Sequence, residues 1–277
     1  MTTANTLPSL AATHAGVFHA DDVFGAALLL IINPQIEIAR VQSANQAPDG
    51  ALQFDIGCGR YDHHQPDAEV RPNGIKYAAF GLLWREFGHM VVPEQFVAQF
   101  DEQFVQPIDA ADNGAAPTPI YQAIAAFNPN WDESITFDKQ FDKAVVLAQS
   151  ILERQIALYE SKDNAEQAVS AAVDNSLTAA DPAIVLDRYM PWQEAVFANP
   201  ANTNFNYIIF PAVRGGYNVQ AIPTSPNGRD QRKPFPADWV VNKPAGATFV
   251  HPGRFLVATV TIEDALCIAE AANKEVK

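Results

Sequence analysis

The chain has 277 residues, 48% hydrophobic against 18% charged, enough apolar material for a sizeable core and far from a disordered composition. Its formal charge of -14 excludes a surface that binds nucleic acid nonspecifically, because phosphate binding is driven by Lys and Arg, so a phosphate ligand would need a local basic patch. Two cysteines, Cys58 and Cys267, neither in a CxxC pair, exclude a disulfide framework and a thiolate metal site.

Residues 1–16 lack a basic segment leading into an apolar core, so no secretory leader is expected and the cytoplasm is the expected compartment. A strand is predicted just before His14, and a buried helix over 23–32 that stops at Asn33-Pro34. That apolar run is far short of the roughly 20 residues a membrane span requires. Residues 36–41 and 52–57 read as strands, the second ending in a Gly-rich turn, and 61–67 open a loop. Apolar positions at helical spacing predict a helix over 75–88, another over 93–104, and one long helix or two in succession over 137–173.

Beyond 174–182 the pattern changes to short strand-like runs at 206–210, 217–222 and 247–251, with a final helix over 262–273. The expected architecture is therefore α/β, with a mainly parallel sheet in an amino-terminal domain, 1–178, and a smaller α+β domain, 179–277. Charge is segregated in the same sense. Residues 94–174 hold 14 acids and 4 bases, whereas 213–254 hold 6 bases and 2 acids. Most of the acidic stretch reads as a solvated helical surface.

His14, His19 and Asp21 form H-x4-H-x-D between a predicted strand and helix, where open α/β sheets bind ligands. Alone this spacing is weak, and Asp22 next to it reads equally as an acid favoured by the helix dipole. Clustering strengthens it, since four of the six histidines lie within the first 64 residues. Asp55 interrupts a strand, and metal coordination would offset the cost of burying its carboxylate; a turn-capping Asp is the plainer alternative. Asp62-His63-His64 supplies one imidazole for a metal and a neighbour for a phosphate or a proton. Asp109 and Asp112 share a helical face, and the spacing leaves open which of them points at a metal. Imidazole and carboxylate together suit Mn²⁺, Co²⁺ or Zn²⁺ better than Ca²⁺.

The order of these elements resembles the motifs of DHH phosphoesterases. THAGVFHADD, DIGCGRYDHHQ, RPNGIKYAAFGLLWREFG, IDAADNG, KPFPADWV and FVHPGRF are similar to the Myg family of DHH-like metal-dependent exonucleases, from about residue 13 to 272. The resemblance implies that His14 and His19 hold one ion with Asp55. It implies a second ion on Asp21, Asp55, His63 and one of Asp109 or Asp112, with His64 facing the substrate phosphate. Ala15 and Gln106 stand where the family often has an acid, and Asp22 where it often has Glu. Two divalent ions are implied, Mn²⁺ first, with Zn²⁺, Co²⁺ or Mg²⁺ as alternatives.

In the basic carboxy-terminal stretch, Arg232, Lys233 and Arg254 are candidate phosphate clamps, against the plainer reading of a solvated loop, and His251 either polarises a phosphate or closes a turn. Two ions roughly 3.5–4 Å apart would activate water for in-line attack on a phosphodiester. The resemblance implies 3′ to 5′ exonuclease action on RNA or short oligonucleotides, by a protein that is no membrane component, with homo-oligomerisation left open. The alternatives are a small-molecule phosphatase or pyrophosphatase, and a non-catalytic metal-containing binding protein.

Overall fold

The computed structural model describes residues 7–275, so the segment read above for a leader lies partly outside them. The chain forms two compact units, the first ending at Glu160 and the second beginning at Ser161.

In the first unit, β1 (Leu10–His14) is the central strand of a three-stranded parallel sheet, flanked by β2 (Glu37–Val41) and β3 (Leu52–Gln53). The crossover from β1 to β2 is α1 (Ala20–Ile32), in which Val23 to Leu29 are all buried, as expected of a run that is apolar on every side, and Asp21 and Asp22 of the first turn are buried with them. β3 is shorter than its apolar pattern predicts, because Asp55 adopts a left-handed backbone (φ 53°) that ends the extended run.

The helix expected over 75–88 begins later, as α2 (Ala79–Phe87). The helix expected over 93–104 is a composite: a 3₁₀ turn, α3 (Val97–Phe100), a π-helical turn (Asp101–Val105) and α4 (Gln106–Asp112). A short α5 (Pro119–Ala125) is capped by Thr118, whose hydroxyl accepts from the Tyr121 amide. The core of this unit joins α1, α2 and the composite helix through Phe24, Phe80, Trp84, Phe100 and Phe104, with Trp84 stacked on Phe100 at 4.2 Å. Burying each such side chain is worth roughly 1.5–3 kcal/mol.

The long helical pattern is a single helix, α6 (Phe137–Thr178), and the division between the units falls within it. The second unit carries a five-stranded sheet of β4 (Ile184–Val185), β5 (Tyr207–Pro211), β6 (Tyr217–Ala221), β7 (Ala247–Val250) and β8 (Leu256–Thr259). Its order is β4-β5-β6-β8-β7, antiparallel except for the β4–β5 pair. Alternation along β5 separates two cores. Tyr207 and Ile209 pack with α8 (Ile262–Lys274), while Ile208 and Phe210 pack with Val169 and Val173 of α6 and with α7 (Gln193–Ala198). Among the described residues, no helix is long and apolar enough to cross a membrane.

Candidate metal centre

Because β1 and β3 are parallel neighbours, the residues that follow them emerge at the same edge of the sheet. His14 is the last residue of β1. Asp55 follows Phe54, whose amide still bonds to the Ala12 carbonyl of β1 at 3.0 Å. The Asp55 amide in turn donates to the Tyr61 carbonyl at 2.9 Å, which brings residues 62–64 alongside. Asp21 and Asp22 occupy the first turn of α1, and Asp112 ends α4. Five short segments thus deliver imidazole and carboxylate groups to one place.

His14 Nε2 lies 3.1 Å from Asp55 Oδ2 and 3.4 Å from Asp22 Oδ2. His63 Nε2 lies 3.2 Å from Asp112 Oδ2, 3.3 Å from Asp55 Oδ1 and 3.6 Å from Asp21 Oδ2. The potential ligand atoms fall into three groups, the first two sharing Asp55: His14, Asp22 and Asp55; Asp55, His63 and His64; and His19, Asp21 and Asp112. His19 is exposed at the start of α1, where its amide donates to Asp22 Oδ1 at 2.9 Å. His64 is largely exposed, and its Nδ1 sits 2.6 Å from Asp62 Oδ1. Asp62 itself accepts the amides of Cys58, His63 and His64, so it shapes the loop that presents both histidines.

Electrostatics at this cluster are unbalanced. Burial, followed by the negative charges of Asp55, Asp112 and Asp22, pushes the Asp21 carboxyl well above its ordinary range. Burial and the charge of Asp55 likewise raise Asp22 to about 7. For His14, burial pulls the imidazole down, but the hydrogen bond with Asp55 and the charges of Asp22 and Asp55 outweigh it and raise it to about 9. His63, also opposed by burial, is raised to about 10 by Asp112 and Asp55. Against the same burial cost, the two histidines hold Asp55 far below its usual value, and His63 with Asp21 lowers Asp112.

Asp21 Oδ1, Asp22 Oδ2, Asp55 Oδ1 and His63 Nε2 are all buried without a hydrogen-bond partner. Native interiors leave only a few such atoms per hundred residues, and four of those described here converge on one place. Divalent cations would supply both the missing partners and the missing positive charge, and the oxygen and imidazole donors fit such ions.

Asp109 lies elsewhere. Its carboxylate is fully buried against Arg71, with Oδ2 at 2.7 Å from Nη2 and Oδ1 accepting the Gly81 amide at 3.0 Å. Burial raises it to about 7 against the pull of Arg71. Of the two acids that spacing left open, Asp112 is in the cluster and Asp109 is turned away from it.

In the second unit, two of the expected phosphate clamps face inward. Arg232 donates to the Asn202 and Phe205 carbonyls at 2.8 and 3.1 Å and to Asn202 Oδ1 at 2.5 Å, while Lys233 Nζ donates to the Asn273 carbonyl at 2.8 Å. Their charge was readable in the sequence, but these partners were not. His251 closes a turn, its Nδ1 accepting the Gly253 amide at 2.9 Å, and Arg254 sits in that turn with a left-handed backbone (φ 56°).

Sequence reasoning missed four contributors in the first unit: Asp22 as a member of the cluster, Asp62 as the organiser of its loop, Arg71 as the partner of Asp109, and Tyr121, whose hydroxyl reaches Asp112 Oδ1 at 3.3 Å. Only Asp22 and Asp62 carried a signal, as acids adjacent to the motif residues.

The MYG1 exonuclease model, described as "Uncharacterised protein family (UPF0160)", matches residues 10–272. MYG1 protein C27H6.8 of Caenorhabditis elegans is 28% identical, the alignment covering 96% of this chain and 95% of that one. The MYG1 exonuclease of Homo sapiens is 24% identical over 95% of this chain and 85% of its own, and a MYG1 protein of Chlamydia pneumoniae is 26% identical over 90% and 91%. The crystal structure of RecJ in complex with Mn²⁺ from Thermus thermophilus aligns with 97% of this chain at 14% identity and a TM-score of 0.29. This chain spans about half, 52%, of that protein. With a family match across nearly its whole length, the chain belongs to the MYG1 exonuclease family.

Proposed function

We propose that this protein is a metal-dependent phosphodiesterase acting as a 3′ to 5′ exonuclease on RNA or short oligonucleotides, with two divalent ions, Mn²⁺ foremost, held by His14, His19, Asp21, Asp22, Asp55, His63 and Asp112. The observation that carries the reading is the convergence of four buried, unpartnered ligand atoms at the carboxyl edge of the parallel sheet. The charge balance supports it: the cluster contains four carboxylates, Asp21, Asp22, Asp55 and Asp112, which two divalent ions would neutralise. The family's exonuclease relatives support the polymer substrate.

When bound, such ions supply an activated water and neutralise charge on the phosphoryl oxygens. Asp55, whose two oxygens face His14 and His63 on opposite sides, is placed to bridge both halves of the site. His64, exposed and oriented by Asp62, is the residue available to meet the substrate phosphate and to hold a proton there. Substrate holding by the second unit is assigned to Arg254.

The test is an assay of the purified chain with Mn²⁺ against end-labelled oligoribonucleotides, oligodeoxyribonucleotides and pyrophosphate. Stepwise release of mononucleotides from the 3′ end is expected. Hydrolysis of pyrophosphate alone would replace the exonuclease reading with a small-molecule one.

A further inference from the structure

Arg71 touches none of the cluster's ligand atoms, yet it is one of the most buried charged side chains described, 4% exposed. Its Nε and Nη2 donate to the two oxygens of Asp101 at 3.1 and 2.7 Å, and Nη2 also meets Asp109 Oδ2 at 2.7 Å. Its guanidinium carbon lies 3.8 Å from the centroid of the Tyr77 ring, and Nη1 reaches the Lys76 carbonyl at 3.4 Å.

Asp101 opens the π-helical turn and Asp109 lies in α4, so one guanidinium ties together two points of the segment that leads to Asp112. Gln106 strengthens the tie, donating to Asp101 Oδ2 at 2.7 Å and accepting from Asn73 at 2.8 Å. Helix α2 completes it. With no side-chain cap of its own, α2 donates the Gly81 amide to Asp109 and the Ala79 amide to Asp21 of the cluster. A Cβ at Gly81 would stand 1.8 Å from Asp109 Oδ2 and 2.5 Å from Arg71 Nη2, so this site requires glycine.

We infer that Arg71 and Asp109 form a positioning pair, which sets the rotation of α4 about its axis and thereby holds the Asp112 carboxylate at the metal centre. At about 100° of rotation per residue, Asp109 and Asp112 point roughly 60° apart on the helix, so anchoring the first leaves the second only a narrow arc. Asp112 then stands 3.2 Å from His63. π-Helical turns are frequent at functional sites, and here Arg71 pins one in place. The pair acts through Asp112 and is not itself a ligand. This inference rests on reading the cluster as a metal centre.

Titration calorimetry with Mn²⁺ on the full chain tests it, using Arg71→Met, Arg71→Lys, Asp112→Asn and the double variant Arg71→Met with Asp112→Asn, each checked for folding by near-UV circular dichroism. Loss of an outer partner typically weakens metal binding on the order of 10–100-fold. Arg71→Met is expected to do so with the number of ions unchanged, Arg71→Lys to recover part of the loss, and the effect to vanish when Asp112 is already Asn. In oligonucleotide assays kcat falls while KM holds. If Arg71→Met does not fold, Arg71→Lys alone and with Asp112→Asn completes the same cycle.

Wild-type affinity in a folded Arg71→Met chain would overturn the inference, as would an equal loss in both backgrounds. So would Asp109→Asn if it removed one bound ion, since Asp109 would then be a ligand. Because the titration uses the metal alone, a chain that shows the expected cycle but cleaves no oligonucleotide would remove the exonuclease reading and leave this one intact.

Discussion

Two groups of polar side chains in this protein carry the charge that a phosphodiesterase would use, and they differ in one respect. At the carboxyl edge of the first unit's sheet, Asp21, Asp22, Asp55 and His63 each bury an atom that has no hydrogen-bond partner. In the second unit, Arg232 and Lys233 direct their donors at carbonyls of their own unit. Charge alone does not distinguish a site from a structural clamp. The decisive property is whether the polar atoms are satisfied within the fold, because an unsatisfied buried group costs stability and persists where a ligand compensates it.

The largest effect expected from this difference is at Asp55. Asp55→Ala removes the carboxylate shared by His14 and His63, and a loss of about 4 kcal/mol of transition-state stabilisation is roughly 10³-fold in kcat/KM. Retained hydrolysis in that variant would mean that the reaction takes place elsewhere. Next in size is stabilisation by metal. At 100 times Kd, Mn²⁺ is expected to stabilise the wild-type chain by about 2.7 kcal/mol, measured as a rise in Tm, and Asp21→Asn should lose most of that rise. Because Asp21 is fully buried among like charges, the same variant should unfold at a higher temperature than wild type when both are metal-free.

Much of the first unit was legible because its signals are local. The apolar run of α1, the strand before His14, and the histidines and Asp55 beside strand ends all follow from periodicity and clustering, and the structure brings those residues together. What escaped depends on distant partners. Asp109 and Asp112 look equivalent at a spacing of three, and only Arg71, some 40 residues earlier in the chain, separates them. The early end of β3 comes from the left-handed backbone at Asp55, which an alternating pattern does not encode. Arg232 and Lys233 read as clamps because counting charge cannot see the carbonyls of Asn202, Phe205 and Asn273.

Smaller effects sharpen the second half of the comparison. Arg232→Ala leaves the Asn202 and Phe205 carbonyls without their donor and is expected to destabilise the protein by about 1–3 kcal/mol, measured by denaturant unfolding, with KM unchanged. Arg254→Ala should do the reverse, changing stability by less than about 0.5 kcal/mol. A weakening of substrate binding by about 1 kcal/mol would raise its KM roughly fivefold. If Arg232→Ala raised KM while leaving stability untouched, the division between satisfied and available cations would be wrong.

The number of metal ions bound tests the central claim most directly. Equilibrium titration of the metal-free chain with Mn²⁺ should find two ions per chain in the wild type and fewer in Asp55→Ala, because both halves of the site share that carboxylate. Two ions still bound by folded Asp55→Ala would contradict it.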